Sequence, residues 1–488
     1  MTPSNSNAQK TILGGSLWIT VSEVIGGVSS LASSIIAARV LAPEDFGLMG
    51  IVLITISILE ALSKTGFEQA LIQRTDDIDS LLNVAWTWHL GRGFLLGACV
   101  LIASPFLAEW YGEPTLFPLL AISASYIALK GMQNIGIVFF SRDLNFKKIF
   151  FINASRAFMT LGIAIPALLI LRNVWALLIG FLAGAVIELI ISFVAHPYRP
   201  SLEWNWSKAK SLIRFGKWIT GLSAVVFVST EGDDIFVSKY LGATALGFYR
   251  LAYDVSNWPA TQVTHVISKV SFPTYARLQH DLEALRAAFL GVMRATLLLS
   301  STVTILIWFM IPHLVNLIIG EKWSAIIPLV RVLVFAGLVR SLVALGGALF
   351  QACDRPDLDF KMNMPRMLVV VGLIWPFSAA WGLLGACFVV LIAICSTLPI
   401  WFYGLHKIIK VGILEIFRVN GLALVSSSVL VGVLWLIQGA TGPGWAGFLL
   451  DLFGGLAIWL VLMWLIGRVT PLNFFAEIQK VQAMIKSK

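Results

Sequence analysis

Charge is what this chain has least of. Charged residues make up 12% of its 488 positions, about half the share of a soluble globular domain. So few ionic groups cannot cover a water-facing surface, and 58% of the residues are hydrophobic. These proportions exclude a soluble domain and leave a polytopic membrane protein. Cysteine is scarce too: Cys99, Cys353, Cys387 and Cys395 show no metal spacing, and three lie inside apolar runs, so they read as small packing residues. The chain has no phosphate-cradling glycine loop, no metal-spaced Cys or His set and only short polar connections. An enzyme and an ATP-driven pump are therefore disfavoured, and no cofactor is expected. The net charge of +9 does not signal nucleic acid, because the basic residues fall mostly in short loops between apolar segments, where they set orientation.

What is abundant is apolar sequence in runs long enough to cross about 30 Å of hydrocarbon. Fourteen can be marked: 12–38, 46–62, 82–106, 116–139, 149–171, 175–195, 214–240, 246–267, 288–312, 325–351, 363–380, 383–404, 416–438 and 446–467. Only the turn Trp381-Gly382 separates the eleventh from the twelfth. With the N-terminus inside, the inner segments carry 23 Lys and Arg and the outer ones 4, namely Arg39, Arg172, Lys239 and Lys322. The positive-inside rule then places both termini in the cytoplasm. The apolar run that starts at Ile12 is too long for a cleaved signal peptide and reads as the first span.

The chain also repeats itself. A shift of 200 superposes Trp18-Ile19-Thr20 on Trp218-Ile219-Thr220, Val28-Ser29 on Val228-Ser229, Leu41 on Leu241 and Gly47 on Gly247, with Arg39 meeting Lys239. At a shift of 205, Ser63-Lys64 and Phe67 meet Ser268-Lys269 and Phe272. An even number of spans separates the copies, so the repeats are parallel, and transporter sites typically lie at such repeat interfaces. The expected fold is all-α with about 14 transmembrane helices, two parallel six-helix repeats plus two C-terminal helices. This gives an N-lobe at 1–195, a cytoplasmic linker at 196–213, a C-lobe at 214–404, two further spans in 405–470 and an amphipathic cytoplasmic tail at 471–488. Trp204 and Trp206 suit the linker to the membrane interface. Phe474, Ile478, Val481 and Ile485 form the apolar stripe of the tail, which reads as a helix lying on the inner leaflet.

Four stretches resemble a known family: RVLAPEDFGLMGIV at Arg39–Val52, its duplicate KYLGATALGFYRLA at Lys239–Ala252, GEKWSAIIPLVRVLVFAGLVRSL at Gly320–Leu342 and QACDRPDLDFK at Gln351–Lys361. They are similar to bacterial polysaccharide exporters, the Wzx-type flippases of the multidrug, oligosaccharidyl-lipid and polysaccharide exporter superfamily. The first motif is closest to the colanic-acid-exporter branch. The resemblance covers roughly the first 400 residues and implies a MATE-like architecture of two lobes around a central cavity, working by alternating access in the bacterial inner membrane. It further implies an undecaprenyl-pyrophosphate-linked glycan as substrate, for exopolysaccharide or lipopolysaccharide synthesis. Membrane lipids, a glycan polymerase and a chain-length regulator are the implied partners.

Charges inside the spans mark the candidate sites, because a charged side chain at the bilayer centre costs roughly 2.5–3.5 kcal/mol even on lenient insertion scales. The deep basic residues are Arg92, Lys130, Arg156, Arg250, Arg294, Arg331 and Arg340. Of these, Arg92, Lys130, Arg156, Arg294 and Arg340 are expected to line an inward-facing cavity and receive the pyrophosphate. Snorkelling or structural pairing is the competing account. Arg250 and Asp254 share a helix face and read as an internal ion pair. Glu23, Glu60 and Glu188 read as lone acids, and His89 as facing water. Glu231, Asp233 and Asp234 form the densest cluster, within WITGLSAVVFVSTEGDDIFVSKY at Trp218–Tyr240. Glu231 and Asp234 share a face, and the cluster suits either a proton or sodium coupling site or pairing between lobes. At the same offset the first copy carries Leu31, Ser33 and Ser34, so the fold does not need the acids. Two alternatives stand beside the flippase: a multidrug or cation antiporter, which should have an acid-rich cavity, and a polytopic glycan polymerase or ligase, which needs a larger outer loop than this chain offers.

Overall fold

The computed structural model describes residues 25–63, 67, 71, 78–143, 145–440 and 444–469. The start of the first span, Glu23, the Trp18-Ile19-Thr20 half of the repeat and the tail at 471–488 lie outside them. Among the described residues every regular element is helical, as hydrocarbon demands, since a helix satisfies its backbone polar groups within one segment. In order these are α1 (Ile25–Val40), α2 (Pro43–Leu62), α3 (Asp79–Tyr111), α4 (Leu116–Gly131), α5 (Phe146–Leu171), α6 (Val174–Ala195) and α7 (Trp206–Tyr240). They continue as α8 (Ala243–Leu278), α9 (Leu282–His313), α10 (Ile326–Ala352), α11 (Pro356–Cys395), α12 (Leu398–Ile409), α13 (Ile413–Ala440) and α14 (Gly455–Val469), which the short turns Trp445–Leu449 and Leu450–Gly454 lead into. Among the described residues, eight candidate spans are long and apolar enough to cross a bilayer, and up to ten if each of two bent pairs counts as one. Helices α7 and α8 fall outside that set: charged residues interrupt α7, and uncharged polar residues such as Asn257, Thr261 and Gln262 dilute the apolar character of α8. The described residues form two compact units, one up to Leu251 and one from Ala252.

Two breaks in the helices have local causes. Gly382 adopts φ 57° and ψ −135° inside α11, a backbone conformation that glycine reaches at little cost, so the turn at Trp381-Gly382 divides this long apolar stretch. The run expected as one span over 116–139 is bent instead, by 59° between Leu116–Gly131 and Ile135–Arg142. Asn134 is the reason. Its backbone is extended, its side chain accepts from Gly136 N at 2.9 Å, and its own N–H donates to Ser192 Oγ at 3.0 Å. A short polar side chain that bonds its own backbone competes with the helix.

The motif at Arg39–Val52 builds the start of α2. Pro43 occupies the first turn, and the Asp45 carboxylate accepts from Ala42 N at 3.0 Å and from Val174 N, at the start of α6, at 2.9 Å. One side chain thus caps two helices, supplying acceptors to N–H groups that would otherwise be orphaned. After α6 the chain runs as an extended strap to Trp206, where α7 begins, earlier than the span boundary at 214 read from the sequence. Trp204 stacks on Trp88 with ring centroids 4.9 Å apart. Asn83 Oδ1 accepts from Tyr198 Oη and from Ser201 N, and Thr87 Oγ1 from Glu203 N at 2.9 Å. Burial, with Glu203 and Asp79 nearby, pushes the Tyr198 phenol up to about 12. It therefore stays protonated at physiological pH and holds the strap to α3 as a donor.

Where α2 crosses the start of α8, the duplication becomes visible. A Cβ on Gly47 would run into the Ala243 carbonyl, and a Cβ on Gly247 into the Pro43 carbonyl. The two contacts map onto each other under the sequence shift of 200, so this crossing is locally two-fold. Close backbone approach at small residues is how apolar helices associate when lipid offers no hydrophobic drive. Gly247→Val should therefore destabilise the fold by about 1–3 kcal/mol or more, since the colliding atoms are backbone. Gly162→Ala, where a Cβ meets nothing within 4 Å, should have little effect. Thermal unfolding of the two purified variants checks the contrast.

Candidate functional site

The acid cluster of α7 is arranged around one guanidinium. Arg250 of α8 donates to Asp234 Oδ2 through Nε at 3.2 Å and lies 3.1 Å from it through Nη2, while the same Nη2 is 3.5 Å from Glu231 Oε2. Its Nη1 donates to the Gly50 carbonyl of α2 at 3.4 Å. Asp233, 3% exposed, faces away and accepts a hydrogen bond from Tyr249 Oη. Arg250 thus joins α7 and α8 to α2. The sequence pointed Arg250 at Asp254 on its own helix; the ion pairs to Glu231 and Asp234 of α7 come from a second helix that the sequence did not connect to it. Two carboxylates brought to one side of the helix by the i,i+3 spacing offer a better fork than one. Gly50 and Arg250 are equivalent positions of the duplication, so the whole ensemble of acids, tyrosine and arginine belongs to the second copy alone. At the end of α7, Lys239 Nζ donates to the Trp110 carbonyl and sits 4.6 Å from that indole's centroid, and Ser238 and Tyr111 share a hydrogen bond of 3.3 Å. These contacts fix the rotation of the helix that carries the acids.

The expected phosphate-binding residues separate into kinds. In the first unit Lys130 of α4 and Arg156 of α5 converge on Glu188 of α6, at 2.8 and 3.4 Å. Glu188 is therefore not the lone acid it looked like in sequence, because its partners come from other helices. Two cations against one carboxylate leave this cluster with a formal excess of one positive charge, and Arg156 keeps 44% of its side chain exposed. Arg92 of α3 donates through Nε to Ser63 Oγ at the end of α2, at 3.1 Å.

In the second unit Arg294 of α9 donates to the Val419 carbonyl of α13 at 3.2 Å. Arg340 of α10 donates to Asn257 Oδ1 at 2.5 Å and lies over the Tyr253 ring at 5.0 Å. Its Nε is buried without a partner, and no carboxylate pairs with it among the described residues. Tyr253, Ser256, Asn257 and Arg340 line a narrow crevice closed on its apolar side by Leu333 and Val390. Arg331 rests its guanidinium on the Trp308 ring at 4.5 Å, a cation–π contact, while its Nε is buried without a hydrogen-bond partner. Thus Lys130 and Arg156 are brought together, while Arg92, Arg294 and Arg340 each make separate contacts.

Reasoning from the sequence missed one buried polar set altogether. His313 Nε2 lies 3.2 Å from Asp451 Oδ2, both side chains being almost fully buried, and Gln438 donates to the same carboxylate oxygen at 3.3 Å. The available signal was an acid alone in an apolar run and a histidine at a span end. At the opposite end of α9 a different pair, Arg286 with Glu415 of α13, closes through Nη2 at 2.5 Å and Nε at 3.2 Å.

Comparison with known proteins gives this arrangement a family. Residues 36–328 match the model of the family described as polysaccharide biosynthesis protein. Among curated proteins the chain is 26% identical to the lipopolysaccharide biosynthesis protein WzxC of Escherichia coli over 74% of each chain. It is 25% identical to the succinoglycan biosynthesis transport protein ExoT of Rhizobium meliloti, over 61% of this chain and 60% of that one. Among solved structures it resembles the lipid II flippase MurJ in an inward closed conformation, with a TM-score of 0.74 at 13% identity, covering 93% of this chain and 99% of that one. An inward-facing MATE family multidrug transporter of the MOP superfamily follows with a TM-score of 0.64 at 14% identity, covering 78% and 94%. At such identities the structural likenesses speak for the fold, and it is the family match that classifies the sequence. The chain belongs to the polysaccharide biosynthesis protein family, as an all-helical, multi-pass membrane protein of the exporter type.

Proposed function

We propose that this protein is a flippase that carries an undecaprenyl-pyrophosphate-linked oligosaccharide repeat unit from the cytoplasmic to the outer leaflet of the bacterial inner membrane, by alternating access, with both termini cytoplasmic. The observation that carries the reading is Arg340. It holds a buried guanidinium against an amide oxygen and a tyrosine face, neutral partners that leave its charge available to an anion. A pyrophosphate leaving water needs such donors, and the planar fork of arginine suits it. Lys130 and Arg156, which share one carboxylate, supply a second place where positive charge is in excess. Arg92 and Arg294 complete the proposed set. Membership of a polysaccharide exporter family supports a glycan carrier as cargo, and neither a catalytic group nor a cofactor is invoked.

The acid cluster supports ion coupling in the same cycle. Glu231 and Asp234 face the one guanidinium of Arg250, and Asp233 is held beside them by Tyr249, so two negative charges remain if all three acids are ionised. A proton or a small cation such as sodium would balance them in the apolar interior.

Reconstituted protein in lipid vesicles loaded with a fluorescent pyrophosphate-linked glycan tests the substrate assignment. Arg340→Ala and Arg92→Ala should each cut flipping about ten-fold or more, the loss expected for a charged hydrogen bond of ~1.5–3 kcal/mol, with folded protein retained. Wild-type flipping by both would overturn the assignment. In the same vesicles Asp234→Asn should alter the dependence of transport on imposed proton or sodium gradients. An unchanged dependence would return the cluster to structural pairing.

Arg250→Gln should lower thermal stability by about 3–5 kcal/mol, because it leaves its carboxylates buried and uncompensated. Adding Asp234→Asn should restore part of that loss, which unfolding of the single and double variants measures.

A further inference from the structure

We propose that His313 and Asp451, braced by Gln438, form a proton-binding site that latches the C-terminal helix pair α13 and α14 to α9. The inference stands apart from the flippase reading, since it concerns residues that no part of that reading uses. Three elements supply one group each: His313 from the end of α9, Gln438 from α13, and Asp451 from the turn that leads into α14. Gln438 Nε2 also donates to the Phe309 carbonyl of α9 at 2.8 Å, so the amide spans both neighbours. The surroundings are apolar: Leu306, Phe309, Met310, Leu434 and Ile437 pack around it.

Two further observations single this place out. His313 Nδ1 and Asp451 Oδ1 are buried without a hydrogen-bond partner, so each side of the pair ends in an unsatisfied polar atom. Both helices also widen here into π-helical turns, Leu314–Ile319 directly after His313 and Leu450–Gly454 around Asp451. Such turns are rare and concentrate at functional sites.

Charge counting gives the ligand. A neutral imidazole beside an ionised carboxylate would leave one negative charge in an apolar core, a costly state unless something compensates it. A single added proton makes the pair neutral, as imidazolium with carboxylate or as imidazole with carboxylic acid. Among the described residues no other charge does this, because the side chains acting on the Asp451 carboxylate are His313 and Gln438. On α9 the next basic residue is Arg294, about 28 Å back along the helix, and past its end Glu321 and Lys322 are exposed. On α10, Arg331 is engaged by Trp308 and Arg340 by Asn257. On α13, Glu415 and Arg418 lie at the opposite end of the helix from Gln438.

The sign of the pH dependence follows. The folded site binds a proton that the free side chains have largely lost above about pH 6.5. Stability therefore falls as pH rises, because the folded state then holds more protons than the unfolded one.

The test is the unfolding temperature of the full-length protein in lipid nanodiscs, read from about pH 6 to about pH 9, spanning the range above the ordinary imidazole value. Wild type should lose stability with rising pH more steeply than Asp451→Asn, and the double variant Asp451→Asn with His313→Gln should show the same shallow slope as Asp451→Asn alone. An Asp451→Asn variant that keeps the wild-type slope would overturn the proposal. If neither folds, infrared difference spectra of wild-type protein with ring-labelled histidine decide it. Loss of an exchange-protected imidazolium or carboxylic-acid band on raising the pH supports the site, and no change in any protected band refutes it.

Discussion

A charge carried into hydrocarbon must find its partner inside the protein, and the placement of helices here follows from that constraint. Arg250 shows it most fully. One guanidinium reaches two acids of α7 and a carbonyl of α2, so three helices are held in register by a side chain that would be intolerable alone. Glu188 does the same for α4, α5 and α6 from the acidic side. Apolar packing cannot supply such register, because lipid tails solvate leucine as well as another helix does. Close glycine contacts and buried polar pairs provide it instead, and both meet where α2 crosses α8.

Much of this was legible in the sequence where the cause is local. Gly382 announced a turn between two apolar runs, and the backbone turns there. The second span was read from residue 46, and Pro43 and Asp45 start its helix three residues earlier, with Asp45 as the cap. The duplication read at a shift of 200 returns as the reciprocal contacts of Gly47 and Gly247. What could not be read was pairing between distant positions. The partner of Lys130 lies 58 residues away, and the pair of His313 and Asp451 joins helices far apart in the chain. An i,i+4 rule sees only one helix, so it offered Arg250 only Asp254 and not the acids of α7. The bend at Asn134 escaped for a related reason: one polar residue barely alters the apolarity of a long run, yet its side chain outcompetes the helix for its backbone.

The same constraint sorts the basic residues by what they can do. Arg250 meets two carboxylates, so its charge is spent on structure, whereas Lys130 and Arg156 share one carboxylate and keep one positive charge in excess. Arg340 meets only neutral groups among the described residues, and its Nε meets none. A side chain that keeps its charge inside a membrane protein represents stored binding capacity, and a lipid-linked pyrophosphate is an anion that could use it. The acids of α7 show the opposite imbalance, with more negative charge than one guanidinium cancels. A cycle that moves an anionic headgroup one way while loading and unloading a cation would use both imbalances.

The most direct measurement of the central claim is the leaflet in which the lipid-linked repeat unit collects when cells lack this protein. The account predicts accumulation on the cytoplasmic side, detected as glycan protected from an impermeant label added outside. Unpolymerised repeat units accessible on the outer leaflet would contradict it, because the lipid-linked glycan would then cross the membrane without this protein.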